Sequence, residues 1–326
     1  MTVPPLAADQ AEVDALHTSI AGDILASIER GEHGAWICPW HGQAAVPTNA
    51  FSGRKFKGSN LVALWAAARR KKFKVHLWAS PRAWESRGAK VRHGESGTEI
   101  LVPIRDETAV PGRWSPDQPG IAKKVGPLGG DAEGGETGPI RGFKSECWYS
   151  HGQVDGAPPA ADLQRLPSPD EGAHQVEALL ARWRACGGPA LVEGGLSAHW
   201  DRSVDRITMP PAKTFANREG LSGHALRVGT LCHEHIHATG SKHRLCRPMK
   251  HSKNSPGYAK EELAAELGSA LLCAEFGLPT AMRADHAAYI ASWMSMIADA
   301  KKRSAFFWAV GEATKAVAFL KRAAGE

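Results

Sequence analysis

The stretch TLCHEHIHATG, residues 230–240, constrains the fold more than any other part of the sequence. His233 and His237 are four residues apart, and an α-helix places residues with that spacing on one face, where two imidazoles can reach a single metal ion. Glu234 stands between them, as in the His-Glu-x-x-His pattern of metallopeptidases, and is the candidate general base. The pattern therefore predicts a helix that carries a metal site and ends near Gly240.

A catalytic metal site with two histidines needs a third protein ligand, and the next predicted helix supplies candidates. The segment YAKEELAAELGSALL covers residues 258–272, and Glu262 lies 25 residues after His237, which is enough chain to turn and pack an antiparallel helix. Glu266 is one turn further on the same face, so one carboxylate can bind the metal while the other supports a histidine. We favour Glu262 as the ligand. Zn²⁺ is the default ion for two histidines and one glutamate, with Mn²⁺ as the alternative.

A simpler interpretation of the same stretch is a solvated helix face. The chain has 15 histidines, so the five-residue pattern can arise by chance, and His235 makes three histidines in five positions. The acidic residues at a suitable distance downstream favour a true metal site. In that site we expect His235 not to be a ligand.

A basic segment distinguishes the first half of the chain. Residues 54–92 contain twelve Lys or Arg residues and one acidic residue, Glu85, so the segment alone is +11 and the remainder sums to −5, for a total of +6. Seven of the eleven tryptophans lie before residue 150. Cationic side chains neutralise phosphates and aromatic faces stack on unpaired bases, so this combination predicts binding of single-stranded nucleic acid. The competing explanation is that tryptophans such as Trp65 and Trp78 belong to the core.

Glycine and proline mark the divisions of the chain. Residues 106–139 hold eight glycines and five prolines in 34 positions without any period, which predicts a flexible surface insertion. A second Pro/Gly-rich stretch, residues 155–172, indicates a domain boundary. We therefore expect an N-terminal domain over residues 1–158 and a C-terminal domain over residues 173–326.

The expected fold class is α+β, with a mixed α/β N-terminal domain and a mostly helical C-terminal domain that contains a small β-hairpin or sheet. In the second domain SAHW and RITM are expected to pair as the hairpin, with RITM bordering the cleft, where it could pair with an extended peptide. The sequence shows neither a signal peptide nor an apolar run long enough for a membrane span, and its six cysteines form no compact framework. A cytoplasmic protein without a membrane partner is expected.

Short motifs in a fixed order show that the chain resembles the ArdC antirestriction family over nearly its full length. In the first half they are Pro39-Trp40, Pro-x-Asn at 47–49, SGRKFKGSN at 52–60, GAKVRHGESGT at 88–98 and QVDG at 153–156. In the second half they are DRITMPP at 205–211, HEHIHATGSKHRL at 233–245 and YAKEELAAELGSALL at 258–272. The resemblance implies an N-terminal domain that binds single-stranded DNA and a C-terminal zincin-like metallopeptidase domain.

The resemblance also implies roles for individual residues. His233 and His237 match the metal-binding histidines, Glu234 matches the catalytic glutamate, and Glu262 is favoured as the third ligand. The DNA-binding candidates within the matched motifs are Trp40, Asn49, Arg54, Lys55, Lys57 and Asn60.

The function that the resemblance implies is protection of incoming plasmid or other mobile-element DNA from host restriction. The expected partners are single-stranded DNA and a host restriction or regulatory protein as the peptidase substrate. Two alternatives remain open. One is a non-catalytic DNA-binding shield in which the metal only braces the fold, and the other is a regulatory protease, similar to the ImmA-like peptidases, that cleaves a repressor.

Overall fold

The structure is a computed structural model and describes residues 10–29, 40–105, 140–218, 220–249, 255–281 and 287–326. The chain divides into two compact units, the first comprising Met1–Ile24 and Pro47–Arg165 and the second comprising Leu25–Val46 and Leu166–Glu326. Of the described residues, 25–29 and 40–46 thus group with the C-terminal half, although the sequence placed them in the N-terminal domain. The reason is visible at Trp40, which packs against Phe306 with ring centroids 6.3 Å apart.

The first unit is built around a four-stranded sheet. The elements of this half of the chain are α1 (Gln10–Glu29), β1 (Thr48–Asn49), α2 (Gly58–Arg70), β2 (Leu77–Ala79), α3 (Pro81–Glu85), β3 (Lys90–Val91), β4 (Thr98–Arg105), β5 (Ile140–Ser150), β6 (Val154–Asp155) and α4 (Ala160–Leu163). The sheet order is β1-β2-β5-β4, with β1 and β2 parallel and the other neighbours antiparallel, while β3 and β6 form a separate antiparallel pair. The predicted insertion at 106–139, between β4 and β5, lies outside the described residues.

Tryptophan side chains form the core of the first unit. The buried tryptophans here are Trp65, Trp78, Trp84 and Trp148, each at most 1% exposed. Phe56 meets Trp148 edge to face, with ring centroids 5.3 Å apart, in a cluster between α2 and the sheet. An indole that is buried on both faces cannot receive a base, so the expectation that tryptophans stack on nucleic acid is wrong for these four residues. Trp36 and Trp114 lie outside the described residues.

The second unit combines a small sheet with a group of helices. Its elements are α5 (Pro169–Ala185), β7 (Ala190–Glu193), β8 (His199–Asp201), β9 (Arg206–Met209), α6 (Gly223–Thr239), α7 (Pro256–Glu275), α8 (Ala287–Ala298) and α9 (Arg303–Ala323). The predicted hairpin is confirmed, since β8 and β9 pair antiparallel. However, β7 pairs parallel with the other edge of β9. The RITM strand is therefore central, and the expectation that it could pair with a peptide is wrong, because both of its edges are already used.

Serine caps set the starts of the main helices of this unit. Ser168, Ser222 and Ser255 each accept a hydrogen bond from the backbone N–H three residues further on, at the starts of α5, α6 and α7. Proline occupies the first position of α5 and of α7, where its missing N–H costs nothing. Together with the sheets, these helices confirm the predicted α+β class. In the described part of the chain, no helix is long and apolar enough to cross a bilayer.

Candidate metal centre

Helices α6 and α7 pack together and carry the residues of the predicted metal site. Gly268 of α7 permits this close approach, since a Cβ atom there would lie 2.9 Å from Cγ2 of Ile236 on α6. Gly240 follows the last residue of α6, and a Cβ atom at that position would lie 2.8 Å from Cζ of Arg247. The two glycines thus leave room for the neighbouring helix and for the chain that returns beside it.

The structure brings His233, His237 and Glu262 together. The Nε2 atoms of the two histidines are 3.0 Å apart. The two oxygens of Glu262 lie 3.3 Å from Nε2 of His233 and 3.6 Å from Nε2 of His237. Ligand atoms held about 2.1 Å from one tetrahedral ion are about 3.4 Å from each other. The distances between the ligand atoms of the three side chains therefore match those expected around one divalent ion.

The other nitrogen of each imidazole faces a carboxylate. Nδ1 of His233 lies 3.3 Å from Oε2 of Glu266, and Nδ1 of His237 lies 3.2 Å from Oε1 of Glu261. At His237, Glu261 makes a hydrogen bond to Nδ1, which holds the proton there and leaves the lone pair of Nε2 for a metal. At His233, Glu266 lies within ion-pair distance of Nδ1. Of the two glutamates that the sequence offered, the geometry favours Glu262 as the ligand and Glu266 as the support of His233.

Arg247 and His41 complete this arrangement, and the sequence did not indicate either of them. The guanidinium of Arg247 donates hydrogen bonds to both oxygens of Glu261, at 3.0 and 2.7 Å, and to the carbonyl of Ile236 at 2.7 Å. Nε2 of His41 contacts Oε1 of Glu266. Arg247 is 14 residues and His41 is 225 residues from its glutamate, so no helical spacing could reveal them. Glu261 did have a signal, because it stands next to Glu262 in a helix that supplies ligands.

His235 belongs to the packed core and not to the group of ligands. It is fully buried, its Nδ1 donates a hydrogen bond to the carbonyl of Leu231 at 2.8 Å, and its Nε2 accepts one from Arg184 at 3.3 Å. Burial, assisted by the charge of Arg184, lowers the pKa of His235 to about 3, so the ring is neutral. The interpretation of the three histidines as a solvated helix face is therefore wrong.

The electrostatics of the ligands favour a cation at the site. Burial lowers the pKa of His237, but Glu262 and then Glu261 outweigh that effect and raise the pKa to about 10. Burial raises the pKa of Glu262, but the charge of His237 and the hydrogen bond from His233 bring it well below its usual range. Two carboxylates thus hold a positive charge at His237 when no metal competes for the imidazole.

A cavity of about 510 Å³ within the second unit reaches one of the metal ligands, His233. His233 and Glu266 line part of its wall, and apolar side chains including Phe215 and Leu226 line much of the remainder. Glu234 is 4% exposed and is not among the described residues that line this cavity. The cavity gives an apolar segment of another molecule a path to His233.

Three of the predicted DNA-binding residues are part of the folded framework. Trp40 is 1% exposed and lies in the second unit. Asn49 is 1% exposed, and its side-chain oxygen accepts hydrogen bonds from two backbone N–H groups of the following turn, at 2.9 and 3.0 Å. The amide of Asn60, which is 2% exposed, both donates to and accepts from the backbone of Leu101, at 2.8 Å each. These three predictions are corrected, because side chains as deeply buried as these cannot reach a nucleic acid.

The other three candidates occupy a basic loop, residues 51–57, between β1 and α2. Lys57 is exposed, and Arg54 and Lys55 are half-buried. The carbonyl of Arg54 accepts a hydrogen bond from the N–H of Asn49 at 2.8 Å, so the buried asparagine shapes the loop that carries the cations. Phe51, at the start of the loop, is half-buried, and the guanidinium of Arg87 lies 5.2 Å from its ring centroid. The loop thus combines positive charge with a partly accessible aromatic ring.

Comparisons with known protein families and sequences identify relatives of both halves of the chain. Residues 174–310 match a family described as zincin-like metallopeptidase, and residues 14–120 match the N-terminal domain of anti-restriction factor ArdC. The chain is 30% identical over 290 residues to the uncharacterized protein y4eC of Sinorhizobium fredii, which covers 86% of this chain and 84% of that protein. It is also 30% identical over 292 residues to DNA primase TraC of Escherichia coli, covering 87% of this chain but only 18% of the primase.

Two similar solved structures are crystal structures of antirestriction protein ArdC from plasmid R388. The Mn(II)-bound form has a TM-score of 0.68 and 27% identity, and the comparison covers 95% of this chain and 98% of that one. The metal-free form has a TM-score of 0.66 and 27% identity, with 95% and 97% of the two chains covered.

Proposed function

This chain belongs to the ArdC family of antirestriction proteins, and from that premise we propose that its second unit is a metal-dependent peptidase and its first unit binds single-stranded DNA. Together the two activities protect incoming DNA from host restriction. The observation that carries the proposal is the convergence of His233, His237 and Glu262, with a carboxylate behind each histidine. Zn²⁺ is the ion that we expect, and Mn²⁺ is the alternative.

The residues of the site divide the chemical work among them. A bound divalent ion would polarise a peptide carbonyl and promote ionisation of water. His233, His237 and Glu262 would hold the ion, while Glu266 keeps the ring of His233 in its position. Glu234 would accept the proton of the attacking water and then donate it to the leaving amine. The apolar wall of the cavity would hold the peptide and exclude bulk water.

The basic loop is the part of the first unit that we assign to DNA. Arg54, Lys55 and Lys57 would neutralise phosphates of the strand, and the half-buried ring of Phe51 would offer a face for one base. This assignment replaces stacking on tryptophan, because the described tryptophans of the unit are buried.

A non-catalytic shield is the second candidate, and one observation favours it. Glu234 does not line the cavity that reaches His233, so a peptide bound in this cavity would not contact the base of the proposed reaction. In a shield, DNA binding alone blocks restriction and the metal stabilises the packing of α6 against α7.

The substitution Glu234→Gln separates the two functions because it removes the base and keeps the shape of the side chain. Transfer of unmodified plasmid DNA into a restricting host is scored with wild-type protein, Glu234→Gln and the control Glu312→Gln, a glutamate of α9 that pairs with Lys315. We expect Glu234→Gln to lose protection while its metal content and its affinity for single-stranded DNA stay at the wild-type level. Full protection by Glu234→Gln would contradict the peptidase and support the shield.

Metal content provides the matching test of the ligands. Elemental analysis of wild type and of His233→Ala, purified without added metal, should show that the variant has lost one equivalent per chain. Equal metal content in the two proteins would show that the histidine pair on α6 does not bind the ion.

A further inference from the structure

A second group of metal-ligand side chains lies elsewhere on the second unit. His174 and Glu177 are three residues apart on α5 and face the first turn of α6, where His224 projects between the helices. The candidate ligand atoms of the three residues all lie within 4.8 Å of one another. His224 precedes His233 by nine residues, which corresponds to about 13 Å along the axis of α6. This group is therefore separate from the metal centre described above.

The spacing of the three side chains suits one ion. Nε2 of His224 lies 3.0 Å from Oε2 of Glu177, so the two atoms need to move apart only by about 0.4 Å to reach the spacing of about 3.4 Å between ligands of one tetrahedral ion. The rings of His174 and His224 are tilted by 37° with centroids 4.5 Å apart, so small rotations of two half-exposed or exposed side chains can direct both imidazoles at the same point. Imidazole and carboxylate together select a divalent transition metal over Mg²⁺ or Ca²⁺.

The surroundings of this group complete the chemistry of a metal site. Arg227 donates hydrogen bonds to the second oxygen of Glu177 at 3.1 Å and to Glu193 at 2.7 Å, and a ligating carboxylate is commonly held in this way. Asp170 lies close by and accepts a hydrogen bond from Ser222 at 2.7 Å. Arg227 thus pairs with two carboxylates, Glu177 and Glu193, and so holds Glu177 in place beside His224.

An adjacent cavity offers room for the remaining ligands of the ion. Its volume is about 640 Å³, and Glu177, His224 and Arg227 line it. Water molecules in this space could fill the positions that three protein ligands leave open. Phe215 lines both this cavity and the one that reaches the metal centre.

From this geometry we propose that His174, Glu177 and His224 bind a second divalent transition-metal ion, of the Zn²⁺ class, that ties α5 to the start of α6. The ion is a structural cation for the second unit. Phe215 lines both cavities and its carbonyl oxygen lies close to Gly223, so fixing the start of α6 also fixes one wall of the cavity beside His233. The second site is more exposed than the first, so it binds its ion less tightly.

The test is a titration of the full-length chain, freed of metal, with Zn²⁺ alone and followed by calorimetry. Wild type is expected to bind two equivalents. The variant His174→Ala/His224→Ala is expected to bind one equivalent, and His233→Ala/His237→Ala is expected to keep only the weaker one. In that last variant Zn²⁺ should still raise the melting temperature, since the second site binds folded protein only.

Two further variants serve as controls, one against misfolding of the alanine variants and one against metal binding by an exposed histidine outside the proposed site. Glu177→Gln keeps the shape of the ligand and should weaken the second site about tenfold or more without changing the first. His243→Ala removes an exposed histidine that lies 3.9 Å from Asp205 and should still bind two equivalents. The proposal is overturned if His174→Ala/His224→Ala binds as much Zn²⁺ as wild type, if His233→Ala/His237→Ala remains folded but binds no Zn²⁺, or if His243→Ala loses the second equivalent.

Discussion

At the scale of single residues, the metal centre depends on two glutamates with different roles: Glu262 is the proposed ligand and Glu266 supports the ring of His233. Both are buried on one face of α7, but only Glu262 lies within 3.6 Å of Nε2 of both histidines, whereas Glu266 meets Nδ1 of His233 and the ring of His41. Removing a ligand deletes a bond to the ion. Removing the partner of a ligand loosens the orientation of its ring.

Charge-neutral substitutions should separate these two roles. In a His174→Ala background, which leaves the second cluster incomplete, we expect Glu266→Gln to weaken Zn²⁺ binding about 10–100-fold. Glu262→Gln should abolish binding at metal concentrations that saturate wild type. Competition with a chromophoric chelator measures both affinities. A larger loss for Glu266→Gln than for Glu262→Gln would reverse the assignment of ligand and support.

His76 makes the stability of the first unit depend on pH. It is 5% exposed, and burial lowers its pKa from 6.5 to about 4. Between these values the unfolded chain binds a proton that the folded chain does not bind. The stability that the protein has with a neutral His76 is therefore fully present above pH 6.5. The free energy of unfolding then decreases as the pH falls towards 4. At about pH 5 the loss is about 2 kcal/mol of the free energy of unfolding.

Denaturant titrations at about pH 7.5 and about pH 5 test this contribution. Wild type should lose about 2 kcal/mol more on acidification than His76→Leu does, because leucine cannot take up a proton. The exposed histidine His93, replaced by leucine, is the control and should behave like wild type. If wild type and His76→Leu lose stability equally, another group is responsible for the acid sensitivity.

The residues of the site differ in how far the sequence could predict them. His233 and His237 were predictable because helical spacing alone places them on one face. For the third ligand the sequence could only narrow the choice to Glu262 or Glu266. Residues four apart share a helix face, and which of them binds the ion depends on the packing of α7 against α6. The matched motifs gave a wrong role for Asn49, because a motif does not distinguish a residue needed for folding from one that contacts a ligand. In the structure the buried amide of Asn49 accepts hydrogen bonds from the backbone of its own turn, which is a folding role.

At the scale of secondary-structure elements, the α6–α7 contact is the feature that builds the metal centre. Gly268 faces the fully buried Ile236, so an added methyl group would push the two helices apart. We expect Gly268→Ala to lower the free energy of unfolding by about 1–2 kcal/mol, since a clash of about 1–3 kcal/mol outweighs the gain in helix propensity. The same shift should weaken metal binding, because the ligands lie on both helices.

Gly229 supplies a matched control on α6. A Cβ atom there would lie 3.8 Å from Thr280, an ordinary contact, so Gly229→Ala should raise the free energy of unfolding by about 0.5–1 kcal/mol. Thermal denaturation measures both variants. Effects of the same sign would show that helix propensity, and not the contact between α6 and α7, governs position 268.

Elements with a regular apolar period could be predicted from the sequence, whereas the pairing of strands that are not joined by a short turn could not. The sequence placed α6 and α7 and the hairpin of β8 and β9 correctly, because apolar period and turn residues are local properties. It missed β7, whose parallel pairing with β9 makes the RITM strand central. Parallel pairing joins strands that are distant in sequence, so no local pattern reveals it.

At the scale of the whole molecule, two units with separate cores should respond to two different ligands. Hydrogen exchange measures the response of each unit in the same sample. We expect Zn²⁺ to slow exchange in α6 and α7, since an ion between them opposes local opening, and to leave β4 and β5 unchanged. A single-stranded oligothymidine should instead slow exchange around the basic loop, residues 51–57. Mg²⁺, which prefers oxygen ligands, should have little effect on either unit.

Paired variants make this separation decisive. Arg54→Ala/Lys57→Ala should no longer show slower hydrogen exchange with the oligonucleotide but should still respond to Zn²⁺. His233→Ala/His237→Ala should lose the protection that Zn²⁺ gives around residue 237 but should still respond to the oligonucleotide. Lys213→Ala, an exposed cation of the second unit, should change neither response. Protection of α6 and α7 by the oligonucleotide would place DNA on the second unit and contradict the assignment of the basic loop. The charge distribution favours the expected outcome, because residues 54–92 alone carry +11 while the rest of the chain is −5.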